Sequence, residues 1–238
     1  MKIAAICCTL RRPAELRNAV ACFIAQDYPA DLRELIILDD DPDPGSGWQT
    51  QQGDGWRIVR LRERTPNLGA KHNLAASLAA GADAVAVWDD DDVYAPWHLS
   101  AHAAALESRA WSAPSEVWSN YFRAAGLKTE DAAGRFHGAW SFRRETLVAV
   151  GGWPQTPDLA FDQALGANLQ TIGEPGDPCE HAPPSYCYRW NGGNVSAEGP
   201  AWSETILERR RPTGRLGNLV PEYDRETVEI LRTMTGGA

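Results

Sequence analysis

The sequence predicts an α/β fold on a mainly parallel sheet, and three observations carry that prediction. Strand-length runs of continuous apolar residues recur, as strands covered on both faces require. Helical patterns alternate with them through the first half of the chain. The polar clusters at 9–12, 39–41 and 89–92 each fall where a predicted strand ends. In sheets of this type, ligands bind at that edge.

The elements follow in order. Residues 2–8 (KIAAICC) form a first buried strand. Pro13 opens a helix at its first position, with Leu16, Val20, Phe23 and Ile24 at helical spacing, and Tyr28 and Pro29 close the segment. Residues 35–38 are a second buried strand running into Asp39, Asp40 and Asp41, and residues 42–55 read as a loop rich in Pro, Gly, Asp and Gln. A third strand is predicted over 56–61. A helix over 71–80 carries Leu74 and Leu78 on one face and stops at Gly81. Residues 84–88 form a fourth buried strand, and Pro96 starts a helix with Leu99, Ala103 and Leu106 inward. The second half is less regular. Strands are predicted over 116–122, 136–142 and 185–189, with helices over 144–150 and 161–169. An amphipathic helix over 222–234 sets Val228, Leu231 and Met234 on one side. No repeat, low-complexity tract or linker divides the chain, so residues 1–238 read as a single domain.

Composition removes several function classes. A net charge of −9 argues against a nucleic-acid surface, which needs clustered Lys and Arg. The one basic cluster, Arg209, Arg210 and Arg211 with Arg215, reads as a solvated or ion-paired face. The longest apolar stretches are far too short to span a membrane. The start, from Met1, shows neither the apolar region nor the cleavage site of a signal peptide. Five cysteines, two of them (Cys7 and Cys8) inside the first apolar run, suggest reduced, buried thiols in a cytoplasmic protein. Cys179, His181 and Cys187 lack a paired C-x-x-C and a clear fourth ligand, which argues against zinc.

The acidic run Asp89, Asp90, Asp91 and Asp92 is the strongest chemical signal. A charge run is usually a solvated turn. This one follows a strand of Ala, Val and Trp, so its base is fixed at the sheet edge. Like charges held that close are costly without a cation, and hard oxygen ligands suit Mg²⁺ or Mn²⁺, which also bind diphosphate oxygens. The alternatives leave no trace: the sequence has no G-x-x-x-x-G-K-[ST] loop, no G-x-G-x-x-G after the first strand and no G-x-S-x-G elbow.

Taken together, these residues resemble the inverting family-two glycosyltransferases of GT-A fold. The likeness runs through Thr9 with Arg11, Arg12 and Pro13; the strand ending on Asp39 and Asp40; and Asn67, Gly69, Lys71, His72 and Asn73. It continues through the D-x-D-D block at 89–92 with Pro96, the stretch from Arg143, Arg144 and Glu145 to Gly151, Gly152 and Trp153, then Phe161, Asp162 and Leu165, and finally Tyr188 and Arg189 with Asn194 and Ser196. It covers roughly residues 1–197, and the combination is specific where no single motif is.

The resemblance implies a single GT-A domain: a nucleotide-binding half over 1–95, an acceptor-side half over 96–197 and a helical tail over 198–238. It implies a nucleoside-diphosphate sugar donor, UDP-linked by default, with Mn²⁺ or Mg²⁺ as cofactor. Thr9, Arg11 and Asp40 would bound the base and ribose, with Lys71 reaching the base or the diphosphate. Asp89 and Asp90 would face ribose and phosphate, Asp91 would hold the metal, and Asp92 would start a helix. Asp162 would be the general base, or else a helix N-terminal carboxylate serving its own backbone. Phe161 stands where the family has Glu, and Asn191 where relatives often have His. His137 and Trp140 lie where acceptor contacts are expected, or serve as core. The acceptor itself, whether saccharide, lipid-linked or small molecule, is left open. So are a retaining or nucleotidyl-transferring relative and a non-catalytic binding module.

Overall fold

A computed structural model describes residues 1–42, 51–120, 126–156, 160–189 and 218–236. Asn191, Asn194 and Ser196 and the basic cluster from Arg209 to Arg215 lie outside the described residues. The elements are β1 (Ile3–Thr9), α1 (Pro13–Ile24), β2 (Arg33–Asp39), β3 (Gln52–Gly53), β4 (Trp56–Arg60), α2 (Leu68–Ser77), β5 (Ala84–Val87) and β6 (Val93–Tyr94). They continue with α3 (His98–Ser108), β7 (Trp111–Ser112), β8 (Glu116–Asn120), β9 (Lys128–Asp131), β10 (Ser141–Arg143), α4 (Arg144–Ala149), α5 (Phe161–Gln170), β11 (Tyr186–Arg189) and α6 (Arg225–Met234).

A seven-stranded sheet runs β3-β4-β2-β1-β5-β10-β7, and a four-stranded sheet runs β6-β11-β8-β9. Strands β4, β2, β1 and β5 are parallel, while β10 and β3 join antiparallel. The predicted mainly parallel sheet is therefore present, with antiparallel edges. Its strands are apolar without a break because both faces are covered. Ile3, Ala5 and Cys7 pack with Leu16, Val20 and Phe23 of α1. Ala4 and Ile6 point the other way, toward Ala75 of α2 and Trp153. From β1 the chain winds outward through β2 and β4, then returns to place β5 on the other side of β1. This reversal puts a ligand-binding crevice beyond the ends of β1 and β5.

Several elements differ from their predicted form, each for a local reason. Helix α2 begins at Leu68, earlier than residue 71, because the Asn67 side chain accepts from the Ala70 amide at 2.8 Å and caps it. Its buried face is Gly69, Lys71, His72 and Ala75, and Leu74 is exposed. The expected strand over 136–142 is broken by a 3₁₀ turn over His137–Ala139 before β10. Gly138 is needed in that turn, since a Cβ there would lie 2.3 Å from Asp89 Oδ2. Helix α6 buries Thr227, Ile230 and Met234, leaving Val228 exposed. Asp224 caps it at the Thr227 amide, 2.7 Å, and accepts from Asn18 of α1, 2.9 Å. The two-residue strands β3, β6 and β7 are too short to carry a period, and β9 (KTED) is polar throughout.

Asn67 gives a direct check on the position of α2. Asn67→Ala should destabilise the fold by about 1 kcal/mol, read as a lower urea midpoint with unchanged slope.

Candidate active site

The acidic run is anchored from below by Trp88. That indole is fully buried, stacks on Tyr94 at 3.8 Å, meets Phe23 edge-on at 5.8 Å and donates to the Ala19 carbonyl at 3.0 Å. Its own amide continues the β1 ladder by donating to Ile6 O. The residues that follow are thereby held at the end of β5. The Asp89 amide is 2.6 Å from the Tyr94 hydroxyl, which donates to Gly138 O at 3.1 Å.

The four carboxylates are then treated differently. Asp90 accepts from Thr9 Oγ1 at 2.6 Å and from Arg12 Nη1 at 2.8 Å. The same Nη1 donates to Asp91 Oδ2 at 2.6 Å, so one guanidinium bridges two neighbouring aspartates. Burial works against the Arg12 charge, but Asp91 and Asp90 outweigh it and hold its pKa well above the ordinary value. Asp92 does not start a helix, since α3 begins at His98. It accepts from the Tyr186 hydroxyl and from the Arg189 amide at 2.8 Å, and Arg189 Nε donates to Asp91 O at 2.7 Å. These bonds lock β11 against the run, a role that no sequence pattern indicates.

Asp89 has no cation bonded to it among the hydrogen bonds and ion pairs described. Burial lifts its carboxyl to about 8, and the charges of Asp91 and Asp90 push the same way. This has a stability consequence. A carboxyl bound more tightly to its proton in the folded state contributes stability at low pH and loses it as pH rises through the folded pKa. With chelator present, thermal stability should fall between roughly pH 4 and 8, and Asp89→Asn should flatten that slope.

A second group of predicted residues lies just behind the run. Asp40 is fully buried and pairs with Lys71 Nζ at 2.6 Å, and the same ammonium donates to Thr9 O at 2.6 Å. Thr65 gives Asp40 two more bonds, from its amide at 3.1 Å and its hydroxyl at 2.8 Å. Burial alone would raise the Asp40 pKa, but the Lys71 charge and hydrogen bond bring it below the ordinary value. Lys71 is 1% exposed, so in this conformation its charge belongs to Asp40 and the β1 end. Arg11 adopts a left-handed backbone, φ 53°, and grips Asp41 with two bonds of 2.8 Å. Thr9 and Asp39 are register partners, which brings both clusters to one sheet edge.

The opening beside the run is a cleft of about 330 Å³. Asp89, Asp90, Asp91, Asp92 and Arg12 line it, and so do His72, His137, Gly138, Phe161 and Asp162. Asp162 is half-buried at the start of α5, its pKa is raised by burial, and its Oδ1 accepts from the Gln163 amide at 2.7 Å. Its charge also helps to raise the Asp89 pKa, so the two carboxyls share one electrostatic field. His137 is in the cleft wall. Trp140 is not: it is 2% exposed, packs on Trp111 and leaves no room for a side chain at Gly166, which makes it core. Arg12 and His72 are among the cleft residues that the sequence left without a role. Arg12 carried one signal, a second arginine beside Arg11 at the end of β1.

Among the described residues no group of three or more His, Cys, Asp or Glu converges to hold a metal. Hard divalent ions bound with nucleotides do not need such a cage, since one or two carboxylates act with substrate phosphates and water. Asp89 and Asp91 fit that requirement, because burial and the neighbouring carboxylates raise the Asp89 pKa by more than the Arg12 charge lowers it.

The sequence pattern described as glycosyl transferase family 2 matches residues 4–148, from β1 into α4. The chain belongs to glycosyltransferase family 2. The match contains Thr9, Asp40, the acidic run and His137, and it ends before Asp162. No curated protein matches the chain. Among solved structures, S. aureus TarS 1–349 in complex with UDP-GlcNAc aligns with a TM-score of 0.62 at 15% identity, over 99% of this chain and 72% of that one. Mannosyltransferase PcManGT from Pyrobaculum calidifontis, in complex with GDP-Man and Mn²⁺, aligns with a TM-score of 0.54 at 17% identity, over 79% and 56%. The longer S. aureus TarS structure gives 0.53 at 14% identity, and this chain spans 43% of it. At these identities the likeness is one of fold, and the fold is GT-A. No helix among the described residues is long and apolar enough to cross a membrane.

Proposed function

We propose that this family-two domain transfers a sugar from a nucleoside-diphosphate sugar, UDP-linked by default, to an acceptor hydroxyl with inversion at the anomeric carbon. The observation that carries the reading is the pairing of two unlike carboxyl sites in one cleft: the acidic run after β5 and Asp162 at the start of α5.

In an inverting displacement, the acceptor oxygen attacks the anomeric carbon opposite the leaving diphosphate. A base is then needed on one face and positive charge on the other. Asp162 is suited to take the acceptor proton, since a carboxyl raised by burial is a stronger base than a solvated one. Asp91, with Asp89, would hold Mn²⁺ or Mg²⁺, which when bound offsets negative charge on the diphosphate. Arg12 adds a fixed positive charge at the same place. Thr9, Asp90 and the Asp40–Lys71 pair would bound the base and ribose, with Arg11 held beside them on Asp41. TarS with UDP-GlcNAc and PcManGT with GDP-Man and Mn²⁺ lend support to a donor and cofactor of this kind.

A screen of UDP- and GDP-sugars for nucleotide release, with and without Mn²⁺, tests the reading. Release should require the ion, and an α-linked donor should give a β-linked product by NMR. An α-linked product would overturn the inversion.

A further inference from the structure

His72 lines the cleft from α2 and is 4% exposed. Its Nδ1 lies 2.9 Å from the Leu68 carbonyl. A carbonyl oxygen only accepts, so Nδ1 carries the proton and Nε2 is a bare acceptor. Burial pulls the ring's pKa down to about 4, which keeps it neutral at working pH. Nε2 is buried and has no hydrogen-bond partner. A buried acceptor left unpaired is costly and calls for a reason.

The surroundings define what would pair with it. His72 follows Lys71, which is bonded to Asp40 and Thr9 at the nucleotide end. Its ring also lies 5.4 Å from Phe161, the neighbour of Asp162. In an inverting transfer, the group between the leaving nucleotide and the base is the sugar being moved. His137, whose ring centroid is 5.2 Å from that of His72, offers the opposite polarity. Its Nε2 accepts from the Trp153 indole N–H at 2.7 Å, so its own proton is on Nδ1. An acceptor and a donor on rings whose centroids are 5.2 Å apart, among other aromatic rings, match a hydroxyl, which gives and takes. A phosphate oxygen has no proton to give to Nε2.

We propose that His72 Nε2 accepts a hydrogen bond from a hydroxyl of the transferred sugar, making His72 a donor-sugar specificity residue. The inference rests on the glycosyl-transfer reading above, and calorimetry can separate the two. UDP, GDP and a panel of their hexose and N-acetylhexosamine conjugates would be titrated with Mn²⁺ into wild type, His72→Phe and His72→Gln. Wild type should bind one sugar nucleotide more tightly than its parent diphosphate. His72→Phe should lose about tenfold in affinity for that conjugate and less than about twofold for the parent. His72→Gln, which restores an acceptor, should recover part of the loss. His72→Phe should melt no lower than wild type, because it removes an unpaired buried acceptor and Leu68 O keeps its helical partner. If His72→Phe binds the conjugate as wild type does, or weakens conjugate and parent equally, the inference fails and the transfer reading stands. If wild type binds no nucleotide, both fail together.

Discussion

Asp162→Asn should lower kcat by about 10²–10⁴-fold while leaving the affinity for the nucleoside diphosphate within about twofold, measured by steady-state kinetics and calorimetry. Asn is the informative replacement because Asp162 has two competing explanations. It begins α5, and its Oδ1 accepts from the Gln163 amide. A helix-terminal role needs only an oxygen, which Asn supplies about as well as Asp. A general base needs a proton acceptor, which Asn is not. Wild-type activity should also fall on the acid side as Asp162 takes up its proton. Burial raises this pKa, so that limb lies above the ordinary carboxylate range, and activity grows as pH rises through it. Full activity in Asp162→Asn would leave the side chain with its helix-end role alone.

The parts of the fold that were legible in the sequence are those where burial on two faces leaves an unbroken apolar run. Strands β1, β2 and β5 are of this kind, and each ends where the sequence turns acidic or polar. Helix α1 was legible because Pro13 fixes its start and Leu16, Val20 and Phe23 share its buried side, although Ile24 is exposed. Helix α2 was misplaced because its inner face is polar: Lys71 and His72 turn inward to Asp40 and the cleft, while Leu74 faces solvent. Periodicity assumes that apolar means inside, and a helix that lines a site breaks the assumption. The same limit hid the 3₁₀ turn over His137–Ala139, where Gly138 leaves room for the Asp89 carboxylate, far away in sequence.

The structure brings the acidic run, Thr9 and Asp40 to one sheet edge and Asp162 to the same cleft, and the sequence carries no sign of how they are wired. Thr9 and Asp90 are 81 positions apart and share a hydrogen bond. Lys71, expected near the base or the diphosphate, has its charge paired with the buried Asp40. Arg12, which had no role assigned from the sequence, enters the cleft and bridges Asp90 and Asp91. Adjacent arginines point in different directions once Arg11 takes a left-handed backbone, and residue type alone carries no such information.

Asp91→Ala should weaken Mn²⁺ binding, measured in the presence of UDP, by about 100-fold or more, and lower kcat/KM by about 10²–10³-fold. The reason lies in the charge balance of the run. Asp89 holds a proton up to about 8 partly because Asp91 and Asp90 are charged beside it. A divalent ion would displace that proton and be held by Asp89 and Asp91 together. Without Asp91, the Asp89 pKa drops toward its ordinary value, and one carboxylate is left to hold the ion against the Arg12 guanidinium. Asp92→Asn is the contrasting variant. Asp92 faces the Tyr186 hydroxyl and the Arg189 amide, so its loss should loosen β11 and lower the melting temperature. Mn²⁺ affinity, compared below the melting transition, should fall far less than in Asp91→Ala. Equal losses of Mn²⁺ affinity in the two variants would mean that the run binds the ion as a diffuse patch of charge. A loss confined to Asp91→Ala would assign the ion to one edge of the run, next to Arg12.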